Sequence, residues 1–446
     1  MIIFGTVCGH ERRNAVSEQR ISRTQGGALK SYILGLQCRL CADDYVNTDI
    51  TPDPICPLHG EVQEARYDFT AIARDIDRDH LRAGPRGIWR WSALLPVRDP
   101  ANIVGMFEGD TPLFHTKRLG DRLGLRNFHV KDESFNPTGS FKDRGASVTI
   151  SKAKEVNVKG LVLASSGNAA SSFSAYSARG NIPFYGLLRD ETSAVHRLQT
   201  AIYGNRMVVV EGDMVDGTRL AGEIAKKYGL FHCTQPYNLY RVEGKKTLAF
   251  EICEALNWRV PDRIIIPTSG GTNVLAIYKG LQELNALGWV KGMPALDIVQ
   301  IAECAPIVRA WKTGESVRRG TKHLIRSTGL GHPLPATGDT VVRIMKATGG
   351  FGWEVSDAQA FEGARLMARD EGLFVQPASA SPVACFLSIG LDAARKTYGD
   401  QVIVAIATGS GKNHIDEPLA ELGQPQRIAA NLAAFETNQQ QHGGIQ

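Results

Sequence analysis

The chain has 446 residues, 43% of them apolar and 22% charged, enough for two or three domains with a large core and unlike a fibre or a mostly disordered polypeptide. Its 51 basic and 46 acidic residues leave a net charge of +5 spread along the length, so no concentrated basic face for nucleic acid is expected. Eight cysteines in so long a chain do not make a disulfide framework, and five of them (Cys8, Cys233, Cys253, Cys304, Cys385) stand without a close cysteine neighbour, which fits a reducing cytoplasm.

The first ten residues turn polar before any sustained apolar run, against a secretory leader, and no window approaches about eighteen consecutive apolar residues, so no membrane partner is expected. Residues 30–62 form a small polar unit with Cys38-Arg-Leu-Cys41 followed by Cys56-Pro-Leu-His59. Each pair sets two ligands on one tight turn, and two such turns can close a tetrahedral structural zinc site from Cys38, Cys41, Cys56 and His59. Cys8 or His10 could replace His59, and the plainer alternative is a decayed ribbon of buried thiols with a solvated His59. A closed four-ligand site leaves no position for a substrate, so its role would be structural.

A charged linker near 63–86 leads to Gly87-Ile-Trp-Arg-Trp91 and Glu108-Gly-Asp-Thr-Pro-Leu113. Beyond these, β-rich apolar runs at 128–130, 161–164, 184–188, 207–210, 263–267, 296–301 and 401–406 alternate with helical periods at 144–156, 169–179, 193–203, 215–228 and 273–287. That alternation predicts the α/β class with mostly parallel sheets. The last twenty or so residues, rich in Gln, Asn, Ala and Gly, read as a frayed tail.

Four turns carry the chemistry. Asn136-Pro-Thr-Gly-Ser-Phe-Lys142-Asp-Arg-Gly145 sets Lys142 between a turn and an amphipathic run. A lysine becomes a nucleophile when desolvation or a neighbouring cation lowers its pKa, and Arg144 is two residues away. The strand at 161–164 runs into Ser165-Ser-Gly-Asn168-Ala169, either an anion site at a helix N-terminus or an ordinary helix cap. Pro267-Thr-Ser269-Gly-Gly-Thr-Asn273 offers adjacent glycines and hydroxyls for a phosphate, without the spacing of a dinucleotide fingerprint. The strand at 401–406 ends in Ala407-Thr408-Gly-Ser-Gly-Lys412. In an open parallel sheet such turns gather at one crevice.

Together with Tyr240-Arg-Val-Glu-Gly-Lys-Lys-Thr247 and Glu371-Gly-Leu-Phe-Val-Gln-Pro-Ala-Ser-Ala380, these motifs resemble, over about residues 87–412, the fold-type II pyridoxal-phosphate enzymes (tryptophan synthase beta-like family), specifically the threonine synthase branch. A zinc-ribbon-like segment also occurs in that group. The resemblance implies two open α/β domains with the cofactor in the cleft: a larger one over 65–145 and 205–424, a smaller mobile one over 146–204, an N-terminal module over 1–64 and a tail over 425–446. It implies that Lys142 forms the internal aldimine and then shuttles protons, that Asn168 bonds the cofactor's phenolic oxygen, and that Ser165, Ser166, Gly167 and Ala169 hold the substrate carboxylate. Ser269, Gly270, Gly271, Thr272 and Asn273 would hold the cofactor phosphate, Thr408 would face the pyridine nitrogen, and Arg241 would serve the substrate.

The implied activity is that of a lyase converting O-phosphohomoserine and water to L-threonine and phosphate, in a homodimer. Alternatives are β-replacement or β-elimination on another amino acid (cysteate synthase from phosphoserine and sulfite, threonine or serine dehydratase, a secondary-metabolism relative), or an inactive scaffold. Departures from the family pattern fall at the phosphate loop, at Gln235-Pro236 where an Asn-Ser pair is common, and at Lys412-Asn-His where Leu-Lys-Asp usually follows.

Overall fold

A computed structural model describes residues 29–38, 40–41, 54–165, 167–190, 192–320, 329–414 and 427–442; Cys8, His10 and Ser166 lie outside the described residues. In chain order the strands are β1 (Ile33–Gln37), β2 (Glu64–Tyr67), β3 (Leu113–His115), β4 (Asn127–Asp132), β5 (Leu161–Ala164), β6 (Phe184–Arg189), β7 (Arg206–Val210), β8 (Phe231–His232), β9 (Arg263–Pro267), β10 (Ala295–Ile301), β11 (Gly352–Val355) and β12 (Val402–Ala407). They build an antiparallel pair β1-β2, a six-stranded sheet β11-β10-β9-β12-β4-β3 and a four-stranded sheet β7-β6-β5-β8. All neighbours in the two larger sheets are parallel except β3 and β4. The central strands are unbroken apolar runs, with Leu161 to Leu163 and Ile264 to Ile266 essentially without solvent exposure. Parallel strands covered by helices on both faces demand that composition. Among the described residues no helix is long and apolar enough to cross a membrane.

Three sequence expectations are corrected. The smaller sheet takes β7 and β8 and so runs to residue 232, past the division at 204. Its edge strand β7 is half exposed and β8 has two residues, so each carries little strand signal of its own and is set by its pairing. The linker near 63–86 contains β2, which pairs with β1 across the module boundary at 64, and the helix Phe69–Asp75 capped by Asp68. The tail expected to fray carries the helix Leu432–His442, whose first turn is capped where the Asn431 side chain accepts from the Ala434 N–H at 2.9 Å.

The helix Lys142–Glu155 is buried along most of its length and crosses the short helix Tyr240–Lys245 at Gly145 and Gly244. A Cβ at Gly244 would lie 2.0 Å from the Arg144 carbonyl oxygen, so only glycine permits this approach. The crossing sets Arg241 and Lys245 beside Lys142, and both lysine amines lie over the Phe141 ring, at 3.8 and 5.1 Å from its centre.

Two residues further along, Arg144 is fully buried and reaches two carboxylates, with Nε–Oε2 of Glu133 at 2.7 Å and Nη1–Oε1 of Glu251 at 2.6 Å. Nη2 adds a second bond to each at 2.8 Å, and Lys131 Nζ lies 2.7 Å from the same Glu251. Such a network is stable only when every charge is matched, and removing one partner strands the others. Arg144→Met is therefore expected to lose about 3–5 kcal/mol of stability. Urea unfolding would measure it, and a loss under about 1 kcal/mol, the range of surface pairs, would contradict a keystone role.

Candidate active site

The four turns marked in the sequence meet at the carboxyl ends of their strands. Ser140 bridges Gly409, Phe141 N donates to Thr408 O at 3.1 Å, and Ser410 N donates to Gly139 O at 2.8 Å, so the Lys142 turn and the turn after β12 are laced together. Gln376 joins them through its own N–H to Gly409 O at 3.0 Å. Its side-chain Oε1 accepts from Asn168 Nδ2 at 2.9 Å, which ties the turn after β5 to the same place. Asn413 Nδ2 donates to Thr138 O at 2.9 Å and to Asn168 Oδ1 at 3.0 Å. The Lys412-Asn-His departure thus puts an amide against the turn after β5.

Lys142, Asn168, Gln235, Ser269 and Gly270 all border two adjoining cavities, one of about 160 Å³ and one of about 60 Å³. Ser165, Gly167, Ala169 and Arg241 line the larger, while Gly271, Thr272, Asn273 and Thr408 line the smaller. Every candidate cleft residue within the described residues is therefore at one site. Thr408 is buried, with its hydroxyl 2.9 Å from that of Ser379. At Gly270 an added Cβ would meet only Gln235 Oε1 at 3.5 Å and His332 Cδ2 at 3.8 Å, so bare backbone faces the cleft. The helix Thr272–Ala286 starts there, and its first N–H groups have no intrahelical acceptor.

The electrostatics differ from the sequence expectation in one respect. Burial, and then the positive charge of Arg241, push the Lys142 amine down to about 7. Arg144, the cation expected to do this, is turned away into its two carboxylates. The next residue, Asp143, accepts from Thr138 N at 2.7 Å, Thr138 Oγ1 at 2.6 Å and Ser172 Oγ at 2.6 Å, which pins the turn before the lysine. Burial lifts its carboxyl to about 7.

Sequence reasoning missed part of the cleft wall. Arg189 at the end of β6, His196, His332 and His414 line the larger cavity, together with Lys142 and Arg241. Burial holds His196 down to about 4, so it is a neutral ring, with Nδ1 3.1 Å from Ser171 Oγ. A signal for Arg189 was available, because a charged residue at the carboxyl end of a buried parallel strand points to the crevice. The histidines come from three segments with no shared spacing.

Away from the cleft, Cys38, Cys41, Cys56 and His59 converge, with one ligand atom of each lying within 4.8 Å of all the others. Cys41 Sγ–Cys56 Sγ is 3.8 Å, and His59 Nδ1 lies 3.7, 3.6 and 3.7 Å from the sulfurs of Cys38, Cys41 and Cys56.

A family model described as "Pyridoxal-phosphate dependent enzyme" matches residues 104–409. The threonine synthase of Methanocaldococcus jannaschii is 34% identical over 400 residues, covering 89% of this chain and 97% of that protein. The threonine synthase of Methanosarcina acetivorans is 31% identical, covering 90% and 97%. Among solved structures, maize serine racemase superposes with a TM-score of 0.59 at 19% identity over 69% of this chain and 89% of that one. A threonine deaminase from Solanum lycopersicum gives 0.58 at 20% identity over 75% and 90%. These two share the fold. With a family match over most of the chain, relatives along nearly its whole length and a half-buried lysine where the cleft turns meet, the chain belongs to the pyridoxal-phosphate-dependent enzymes.

Proposed function

We propose that this enzyme is a threonine synthase, converting O-phosphohomoserine and water to L-threonine and phosphate. The observation that carries the reading is the cationic lining of the larger cavity: Lys142, Arg189 and Arg241 line it beside the imidazoles of His196, His332 and His414, and among its described lining residues there is no carboxylate. A cleft of that character suits a substrate with an anion at each end. The two relatives named threonine synthase support the same reading. Gln235, at the Gln235-Pro236 departure, turns its side chain to Thr272. The substrate phosphate is then left to Arg241, Arg189 and His332.

The residues present fit the cofactor. The open backbone at Gly270 leaves room for an anion, and the donors facing it are the first N–H groups of the helix Thr272–Ala286 and the Thr272 hydroxyl, with the NH₂ end of the Asn273 amide as the end able to donate. Residues 269–273 would hold the phosphate, Asn168 the phenolic oxygen, and Thr408 with Ser379 the ring nitrogen. Pyridoxal phosphate supplies, when bound, an electron sink for negative charge developing on the substrate, and a neutral hydroxyl at the ring nitrogen suits elimination and replacement over transamination. Lys142 Nζ would take a proton from Cα and then one from Cβ; as phosphate departs from Cγ the amine would return a proton to Cγ, which becomes the methyl group, and after water has added at Cβ it would return one to Cα. One amine acting as base and acid in turn needs a pKa near the working pH. Gly167 and Ala169, at the start of the helix Asn168–Gly180, would hold the substrate carboxylate with Ser165.

Purified protein loaded with pyridoxal phosphate should release phosphate and threonine in equal amounts from O-phosphohomoserine. Lys142→Ala should lose both by at least about 100-fold, the lower end for a general acid–base group. Cofactor binding with neither product would sink the reading, and phosphoserine with sulfite would be tried next. A pH series tests the amine itself. Because its pKa is lowered, Lys142 sheds its proton as pH rises through about 7. Capture of pyridoxal phosphate by the cofactor-free protein should therefore climb through neutrality and level off by about pH 8, where an ordinary lysine near 10.4 is still protonated. A rate still climbing above pH 9 would contradict it.

The N-terminal cluster supports a structural zinc ion. A tetrahedron with Zn–S bonds of about 2.3 Å has edges of about 3.8 Å, which the Cys41–Cys56 sulfur separation matches, and the shorter Zn–N bond of about 2.0 Å suits the slightly shorter distances to His59 Nδ1. Fresh protein should carry one zinc per chain, and Cys41→Ser should lose it and lower the melting temperature while activity at low temperature persists. Protein purified without chelators that holds no metal would rule the site out.

A further inference from the structure

The buried lysines and arginines of the described residues are Lys131, Arg144, Lys152, Arg241, Lys245 and Lys246. Lys131, Arg144, Lys152 and Lys246 each have a carboxylate partner. Arg241 and Lys245 have none among the described residues. Arg241 already borders the larger cavity, where a substrate anion answers it. Lys245 has no such account.

Lys245 is 2% exposed, and its Nζ donates to Thr272 Oγ1 at 3.0 Å. Gln235 Nε2 donates to the same oxygen. An ammonium and an amide N–H have no lone pair to offer, so with Lys245 protonated both lone pairs of the Thr272 hydroxyl are taken and its own proton has to be given away. Thr272 lines the smaller cavity together with Asn273 and the bare backbone of Gly270. The hydroxyl is thereby fixed as a donor toward whatever acceptor fills that cavity. Burial, together with Arg241 and Lys142, holds Lys245 well below the usual lysine range while no anion is near. A buried ammonium backed only by a hydroxyl is costly unless a negative charge lies within reach.

We propose that Lys245 is the counter-charge of the cofactor's phosphate, acting through the Thr272 hydroxyl that it and Gln235 together orient. The assignment rests on the cofactor reading above and adds to it a residue outside the 269–273 loop. It also accounts for the loop's departure, since a loop with fewer glycines gains a cation behind it.

The test compares pyridoxal 5′-phosphate with pyridoxal, which lacks the phosphate, by absorbance titration of cofactor-free wild type, Lys245→Met, Lys245→Gln and Thr272→Val. Wild type should prefer the phosphorylated aldehyde. Lys245→Met and Lys245→Gln should lose about 10- to 100-fold of that preference, the range of a hydrogen-bonded charge, while affinity for pyridoxal stays as it was. Thr272→Val should lose a comparable part. The cofactor-free Lys245→Met protein should melt no lower than cofactor-free wild type, because the variant removes a buried charge. Equal losses for both aldehydes, no loss, or failure of both Lys245 variants to fold would each make Lys245 a structural residue and overturn the assignment. Wild type that binds neither aldehyde would instead overturn the cofactor reading itself.

Discussion

The bonds between Arg144 and the paired carboxylates of Glu133 and Glu251 are the constraint on which the site depends. They join the turn after β4, the helix that begins at Lys142 and the helix Thr247–Ala255. With all three groups out of solvent, the helix start cannot slide or rotate without separating charges that have nowhere else to go. Lys142 stands at that start, so its position is set by a neighbour two residues on rather than by contacts of its own amine. The glycine crossing at Gly145 and Gly244 then brings a second helix close enough for Arg241 to act on the lysine.

The cleft follows from setting cations in a wall whose described lining residues include no carboxylate. Outside it, buried positive groups are neutralised within the protein, as Lys246 is by Glu243 and Glu283. Lys142 and Arg241, which line the larger cavity, have no carboxylate partner among the described residues. Burial then acts on the amines directly and brings Lys142 near neutrality, and an incoming anion meets groups that gain by binding it. On the proposed reading the same arrangement would serve both ends of the chemistry, holding phosphate and carboxylate while leaving one amine to exchange protons.

Much of this was legible in the chain. The runs at 161–164 and 263–267 coincide with β5 and β9, because strands buried on both faces must be continuously apolar. The four turns were legible because glycine and hydroxyl residues at strand ends have few other uses together. What escaped was whatever depends on partners distant in sequence. β8 has two residues and exists by pairing with β5. Arg144 reads like an activator of Lys142 until its two glutamates, eleven residues before it and far beyond it, are seen to claim it. Gln376 and Asn413 sit inside quoted motifs, yet their contacts with Asn168 span more than two hundred residues.

Those contacts fix which way round Asn168 stands. The Thr138 carbonyl can only accept, so the group of Asn413 facing it is the NH₂. That same NH₂ then requires the oxygen of Asn168, and the NH₂ of Asn168 in turn meets the oxygen of Gln376. The sense of one backbone carbonyl is passed through two amides, and a flip at either would set like groups against each other. Asn168 keeps one N–H of fixed direction for a ligand, and no side chain has to turn over when that bond forms. Its contribution to binding is undiminished by reorganisation, a form of preorganisation that depends on polarity instead of rigidity.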